Sequence, residues 1–542
     1  MSRQPLEDKS TGIHRAKMWE IAFYALNNTS TNAYMMLVSA ISYYLVGIVG
    51  LGTVLAGSII TIMRIWDGVT DPFVGMLVDN TNTKFGKNRP FIVLGQVILF
   101  AMTFLIFRLL PNVTTSMRFV VFLILYCVYI VGYTFQCVVT KSAQTCLTND
   151  PKQRPIFSMF DSVYNILLMS LFWPVYQAST MVPKYTLSTA TAAAQIEALI
   201  AQNPNLTNQL VTDAETGVST LSGFYNPAMW QEMQLTIGIL AAILAVFAII
   251  GLWRKDNEKY FGLGKAARVS FKDYADVLAH NRGIQMLVVA ASSDKLAMQC
   301  TSNSTVLISI FGIICGNYAL SASNSAITAI PVMLIGVLGM GYIARNLGQK
   351  KCLIVGTWGS ILSAAALAAL LIFGNPTSML LPTFSLTKPA TWAGLFNPAN
   401  WSFFGVGFVL LYIVMKGFSQ MSGSIVIPMT ADCADYEVYR SGRYVPGLMG
   451  TLFSFVDKLI SSLASTIVAL VFAAVGFTAT LPTPETPYST GILVAALICY
   501  LGMPAIGWIL NVVAMKFYPL TKEKMDEIQG EIARIKAQST RG

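Results

Sequence analysis

Inside a long apolar stretch the chain carries Arg64-Ile65-Trp66-Asp67-Gly68-Val69-Thr70-Asp71-Pro72-Phe73-Val74-Gly75, and Asp79 follows one turn later. Asp67 and Asp71 stand four residues apart, so a helix sets both carboxylates on one face, one turn from each other. Ionisable side chains at membrane depth are costly and mark ion or substrate paths. Two carboxylates with Thr70 between them are hard oxygen donors of the kind a small cation or a proton takes. The competing reading is a structural ion pair between Arg64 and one of the acids, which leaves the other acid over.

The elements that must position these groups are membrane helices. The 542-residue chain is 54% hydrophobic and 11% charged, where an ordinary soluble domain is roughly a quarter charged. Its net charge of +10 falls in short loops between apolar segments. That is the positive-inside pattern, and it implies no nucleic-acid partner. The eight cysteines lie in or beside apolar segments and are expected as free thiols, and two histidines leave little for a His-based centre. No cofactor is expected, and no metal beyond a transported cation. No removable signal peptide is expected either.

At about 20 residues per crossing, about twelve spans are predicted: 20–46, 50–76, 90–110, 117–141, 157–180 and 233–253, then 284–315, 324–344, 351–373, 402–428, 449–476 and 490–514. Basic loops alternate with loops poor in Lys and Arg, which places both termini in the cytosol. The expectation is an all-α membrane protein of twelve helices in two six-helix halves. Residues 1–253 form the first half, with an outer insertion at about 181–232. A central cytosolic loop covers 254–283. The second half covers 284–516, with an outer loop at about 374–401, and an amphipathic tail covers 517–542. The insertion reads as solvated, with the alternative that it covers an outer vestibule. The tail has Met525, Ile528, Ile532 and Ile535 at helical spacing and reads as solvated rather than as a partner site.

The halves repeat. Gly75 to Asp79 and then Gly86-Lys87-Asn88-Arg89 close the second span, and Gly341 to Gly348 with Lys350 and Lys351 close the eighth. With the Arg64–Gly75 stretch, Arg89-Pro90, Ala431-Asp432-Cys433-Ala434-Asp435-Tyr436 and Lys458 in the eleventh span, the chain resembles the glycoside–pentoside–hexuronide:cation symporters, the melibiose-permease-like branch of the major facilitator superfamily. The resemblance implies a sodium, lithium or proton site between the second and fourth spans, at Asp67, Thr70, Asp71 and, on the fourth, Thr134. It implies cytosolic gate motifs at Gly75, Asp79, Gly86, Lys87, Arg89, Asp432, Asp435 and Tyr436. Lys458, with Arg64, is a candidate to neutralise the empty cation site; a static pair with Asp457 is the alternative.

The departures bear on the solute. Thr31, Cys137 and Asp161 stand where melibiose-type members carry sugar-holding acids and an arginine, and Lys141 stands where they carry an aromatic platform. Candidates for the solute cavity are therefore Asn27, Thr31, Cys137, Lys141, Asp161, Asp294, Lys295 and Gln299, with Trp66, Phe135, Gln136, Lys416, Gln420 and Ser424 behind them. Lys141 or Lys295 facing the solute would favour an anionic sugar; Lys141 tied to Asp161 would favour an uncharged one.

The function expected is cation-coupled symport of a sugar or sugar-like solute by alternating access. The carrier would be a monomer in the bilayer of a bacterial cytoplasmic (inner) membrane. The rival readings are an uncoupled facilitator, a symporter of a non-sugar polar solute, and a membrane enzyme. The last lacks a nucleophile–base pair or a metal cluster in any span.

Overall fold

The structure is a computed structural model that describes residues 7–8, 13–81, 83–148, 154–213, 216–257, 279–382, 389–441, 446–525, 527–528 and 531. Most of the predicted central loop, the outer-loop stretch 383–388, and Ile532 and Ile535 of the tail lie outside them.

Helices occur at all twelve predicted positions. In the first half these are α1 (Met18–Leu37, extended through Val49), α2 (Thr53–Asn80), α3 (Arg89–Phe104), α4 (Thr115–Leu147), α5 (Arg154–Ile166, extended through Met181) and α6 (Pro227–Leu252). In the second they are α7 (Arg282–Thr301), α8 (Ala319–Leu347), α9 (Gln349–Phe373), α10 (Phe403–Ser441), α11 (Pro446–Ala474) and α12 (Met503–Phe517, preceded by Thr490–Gly502). Among the described residues eight helical stretches are long and apolar enough by themselves to cross a membrane, or nine if Arg282–Thr301 and Ser304–Ile314, bent by 51°, count as one span. Charged residues stand in mid-helix, among them Arg64, Asp67 and Asp71 on α2, Asp161 on α5, and Asp457 and Lys458 on α11.

The chain packs as two units, one built on Met1–Lys265 and the other on Ala266–Thr383 and Pro389–Val475 with the C-terminal segment. Their internal contacts repeat. In the first, α1 packs on α6 and α5, and α4 packs on α2 and α3. In the second, α7 packs on α12 and α11, and α10 packs on α8 and α9. The pairing recurs six helices later.

One segment departs from the predicted division. Gly476–Pro487, which joins α11 to α12, packs with the first unit. It meets the outer insertion, which is not the solvated appendage its composition implies. Three short strands, β1 (Leu187–Ser188), β2 (Leu210–Thr212) and β3 (Ser219–Leu221), form an antiparallel sheet of order β1-β3-β2 beside a helix over Thr189–Gln202. Leu206, Leu221, Phe224, Tyr225 and Trp230 are buried. Buried Arg118 donates to the carbonyls of Ile48 and Pro111 and to Asn203 Oδ1, at 2.8–2.9 Å. The Tyr225 hydroxyl donates to the Leu481 carbonyl at 3.1 Å, and Tyr43 donates to the Pro482 carbonyl at 2.7 Å. The tail departs from expectation too. Ile528 is fully buried and Met525 partly so, in a cluster with Ile284, Leu287, Cys433 and Tyr518 of the second unit.

The loops that follow α2 and α8 share a conformational device. Gly86 and Gly348 both take positive φ, +98° and +87°. Behind Gly86, fully buried Asp256 accepts the backbone N–H groups of Asn88 and Arg89 at 3.0 and 2.9 Å and that of Lys87 at 3.2 Å. In the second copy, Lys350 Nζ donates to the Tyr518 carbonyl at 2.7 Å. No disulfide links the eight cysteines. A Cβ on Gly86 would sit 2.3 Å from Asp256 Oδ2 in a left-handed backbone, whereas one on Gly341 meets nothing within 4 Å. Gly86→Ala is therefore expected to destabilise the protein by at least about 1 kcal/mol and Gly341→Ala to leave it unchanged, as read by thermal unfolding of the two variants in detergent.

Candidate functional site

α2 and α4 lie side by side, and the polar groups of the Arg64–Gly75 stretch face that contact. Asp67 is 2% exposed, Thr70 7% and Thr134 fully buried. Thr134 Oγ1 lies 3.2 Å from Asp67 Oδ1 and 3.2 Å from Thr70 Oγ1. The helix spacing explains the convergence. Thr70 is one turn past Asp67 and hydrogen-bonds its carbonyl at 3.0 Å, while Thr134 leans on the Ile130 carbonyl of its own helix at 3.0 Å. A carboxylate and two hydroxyls thus meet at one depth. Asp71, one turn further on, is half-buried.

Toward the N-terminal end of α2 from Asp67 a small cavity is lined by Arg64, Asp67, Tyr126, Tyr129 and Tyr133, with Met35, Met63 and Ile130 among its apolar walls. Tyr126 and Tyr129 stack with ring centroids 5.3 Å apart, and Phe122 stacks on Tyr126 at 5.2 Å. The reading of the sequence missed these tyrosines. Their spacing of three and four residues puts them on one face of α4, and that was the available signal. A cation, an aromatic wall and a carboxylate on one cavity can hold a ring with polar substituents: aromatic faces take its C–H side, and Arg64 and Asp67 take its hydroxyls.

Several candidates for the solute cavity have other work. Asn27 is buried and donates to Thr140 Oγ1 on α4 at 2.8 Å, and Thr31 donates to the Asn27 carbonyl at 2.9 Å. Both are turned to helix contacts rather than to a cavity, because a polar group without water must find a partner in a neighbouring turn or helix. Asp161 accepts from Asn28 Nδ2 at 2.8 Å; Lys141's side chain lies outside the described ones. Cys137 is half-buried one turn past Tyr133. In the second unit Asp294 is buried, accepting from Trp508 Nε1 at 2.9 Å, with Ser422 Oγ 3.3 Å away. Its neighbours Lys295 and Gln299 are exposed. Lys458 is half-buried on α11.

Among the gate residues, Arg89 pairs with Asp256 at 3.5 Å. Lys87 is half-buried, as are Asp432 and Tyr436. The side chains of Asp79 and Asp435, and Gly75 beyond its place in α2, lie outside the described residues. Asp256 was missed because its partners are 167–169 residues away in sequence, so nothing local marks it. The same holds for Glu20, buried and bound by Arg254 at 2.7 Å.

A model of the family described as MFS/sugar transport protein matches residues 23–522. An isoprimeverose transporter of Lactiplantibacillus pentosus is 21% identical over 525 residues, covering 96% of this chain and 92% of its own. A glucuronide carrier protein homolog of Escherichia coli (strain K12) is 22% identical over 521 residues, covering 94% of each. Among solved structures, the nucleoside transporter NupG superposes with a TM-score of 0.54 at 11% identity, covering 93% of this chain and all of its own. That likeness is one of fold.

Removing one hydroxyl at the carboxylate is the sharpest probe of the α2–α4 cluster. Thr134→Val is expected to weaken binding of any cation held at Asp67 about tenfold, one charge-assisted ligand's worth, and to leave folding intact. Titration of sodium and of protons against the purified protein, followed by tyrosine fluorescence, reads this; unchanged affinity for both would remove Thr134 from the site.

Proposed function

Because the chain belongs to the MFS/sugar transport protein family, and so is an integral multi-pass membrane transporter and not an enzyme, we propose that it couples entry of a sugar or sugar-like solute to that of sodium, lithium or a proton. One arrangement carries the reading: Asp67, buried with the hydroxyls of Thr70 and Thr134, stands on the wall of the cavity that Arg64 and the tyrosines line. The printed names of the relatives, a transporter of isoprimeverose and a carrier of glucuronides, support a glycoside or hexuronide as the solute.

The mechanism follows from charge accounting. With the site empty, the Asp67 carboxylate attracts the Arg64 guanidinium across the cavity. A cation held by Asp67, Thr70, Thr134 and Asp71 takes over that carboxylate. Arg64 then has its N–H donors available for solute oxygens, so cation and solute each raise the other's affinity. Fully loaded and empty carriers exchange between membrane faces while partly loaded ones do not, which is symport. Lys458 supplies the second positive charge that lets the emptied acids cross uncompensated by cation. The carrier works as a monomer in the bacterial cytoplasmic membrane, with the basic loops inside.

Two outcomes test this. Asp67→Cys and Asp71→Cys each abolish gradient-driven accumulation of a radiolabelled glycoside in membrane vesicles while leaving the protein inserted; full accumulation in both variants refutes the assignment. Lys458→Ala leaves the emptied acids with a buried charge short of compensation, at a cost of about 3–5 kcal/mol. Net uptake then falls at least tenfold while exchange between pre-loaded compartments is largely kept; equal loss of both removes Lys458 from the return step.

A further inference from the structure

The loop that joins α9 to α10 has a composition unsuited to water. Between Lys351 and Lys416 the chain holds one charged residue, Lys388, which lies outside the described residues. The insertion between α5 and α6 is built the opposite way: it carries Lys184, Glu197, Asp213 and Glu215, and it buries Phe224, Tyr225 and Trp230. The α9–α10 loop and its flanks turn aromatic residues outward. Phe403 is 96% exposed, Phe396 87% and Phe373 86%, the three most exposed large apolar side chains among the described residues.

Phe373 is the last residue of α9 and Phe403 the first of α10, so both stand where apolar spans end. Hydrogen bonds hold Phe396 to the same rim. The Ser402 amide donates to the Leu380 carbonyl at 3.2 Å, and the Leu380 amide donates to Ser402 Oγ at 2.9 Å. The Trp401 indole donates to the Leu395 carbonyl at 3.0 Å, and Asn400 Nδ2 to the Gly394 carbonyl at 2.9 Å. A short 3-10 helix over Pro389–Phe396 is thereby pinned beside the start of α10. The loop also closes its backbone on itself. The amides of Asn397, Asn400 and Trp401 donate to the carbonyls of Gly394, Asn397 and Pro398, and Asn397 Oδ1 accepts from the Ala399 amide at 3.1 Å. Water would serve those groups without any such bonds; a loop pressed among lipid headgroups must supply them itself.

We propose that Phe396, with Phe373 and Phe403 beside it, anchors the α9–α10 loop at the boundary between lipid headgroups and acyl chains, so that the loop is an interaction surface for the bilayer itself. A lone exposed phenylalanine needs no explanation, but three on one rim, in a stretch almost without charge, form an apolar patch of the kind that marks a membrane contact. The bilayer is the occupant because it already surrounds the spans that end in Phe373 and begin in Phe403, and the patch continues that surface. Attachment comes from apolar area rather than from charge, so it does not depend on anionic headgroups, and it reaches roughly 5–10 Å into the boundary. Anchored there, the loop fixes the level at which α9 ends and α10 begins.

The experiment attaches a nitrobenzoxadiazole dye to Phe396→Cys in the full-length protein in phosphatidylcholine liposomes. Phe403→Cys, at the start of a span, is the reference for lipid, and Glu197→Cys, exposed on the insertion between α5 and α6, is the reference for water. The parent treated in the same way gives the background from its native cysteines, and monodisperse elution before reconstitution shows that each variant is folded. The dye at Phe396→Cys is expected to be quenched by a lipid carrying a nitroxide near its headgroup. Its quenching by iodide, present on both sides of the bilayer, is expected to be about fivefold or more weaker than at Glu197→Cys. Exchanging part of the phosphatidylcholine for anionic phosphatidylglycerol leaves the nitroxide quenching unchanged. Iodide quenching equal to that at Glu197→Cys, with none from the nitroxide lipid, puts the loop in water and overturns the proposal. Shielding from both quenchers means that protein covers the patch, and nitroxide quenching that appears only with anionic lipid means that charge holds it; either result overturns the proposal too.

Discussion

A bilayer supplies no water to a polar group, so each charge or amide carried to membrane depth must be met by the protein itself. The interior of the first unit is organised by that demand. Tyr24 reaches the Val139 carbonyl, Gln136 the Ile92 carbonyl, Ser30 the Ala241 carbonyl and Asn27 the Thr140 hydroxyl. These bonds stitch α1, α3, α4 and α6 together at points where packing of apolar side chains alone would allow them to slide. At the helix ends the same demand is met with charge: Asp256 gathers three backbone N–H groups, Glu20 takes Arg254, and in the second unit Glu437 takes Asn281 and Arg440 at 2.9 and 2.7 Å.

What remains after this accounting is what the carrier has for transport. In the first unit it is a carboxylate with two hydroxyls, an arginine and an aromatic wall. The two units share their helix pairings, and each carries both a cation and a carboxylate among its spans, Arg64 with Asp67 in the first and Lys416 with Asp294 in the second.

The helices and the α2 carboxylates were legible because both signals are local: apolar length, and a spacing of three and four residues. Thr134 was legible only through family resemblance, since nothing in its own neighbourhood singles it out from Thr140, which serves α1. Asn27 and Thr31 misled because a polar run in a span looks the same whether it faces a cavity or a neighbouring helix; the contact of α1 with α4 decides, and it lies 109–113 residues away. The outer insertion misled for a related reason. Its Thr, Asn and Ala content reads as solvated, yet three of its four aromatic residues, Phe224, Tyr225 and Trp230, are buried, and they fix it against α1 and the Gly476–Pro487 segment.

The central claim is that cation and solute move together because they share the wall around Asp67. The most direct measurement is cation movement driven by the solute alone: purified protein in liposomes with no ion gradient, a glycoside or glucuronide added outside, and entry of sodium and of protons followed at once. The account predicts that downhill solute entry carries one of the two cations inward at a fixed ratio, and that Asp67→Asn stops the cation flux. Solute entry with no accompanying flux of either cation would contradict it.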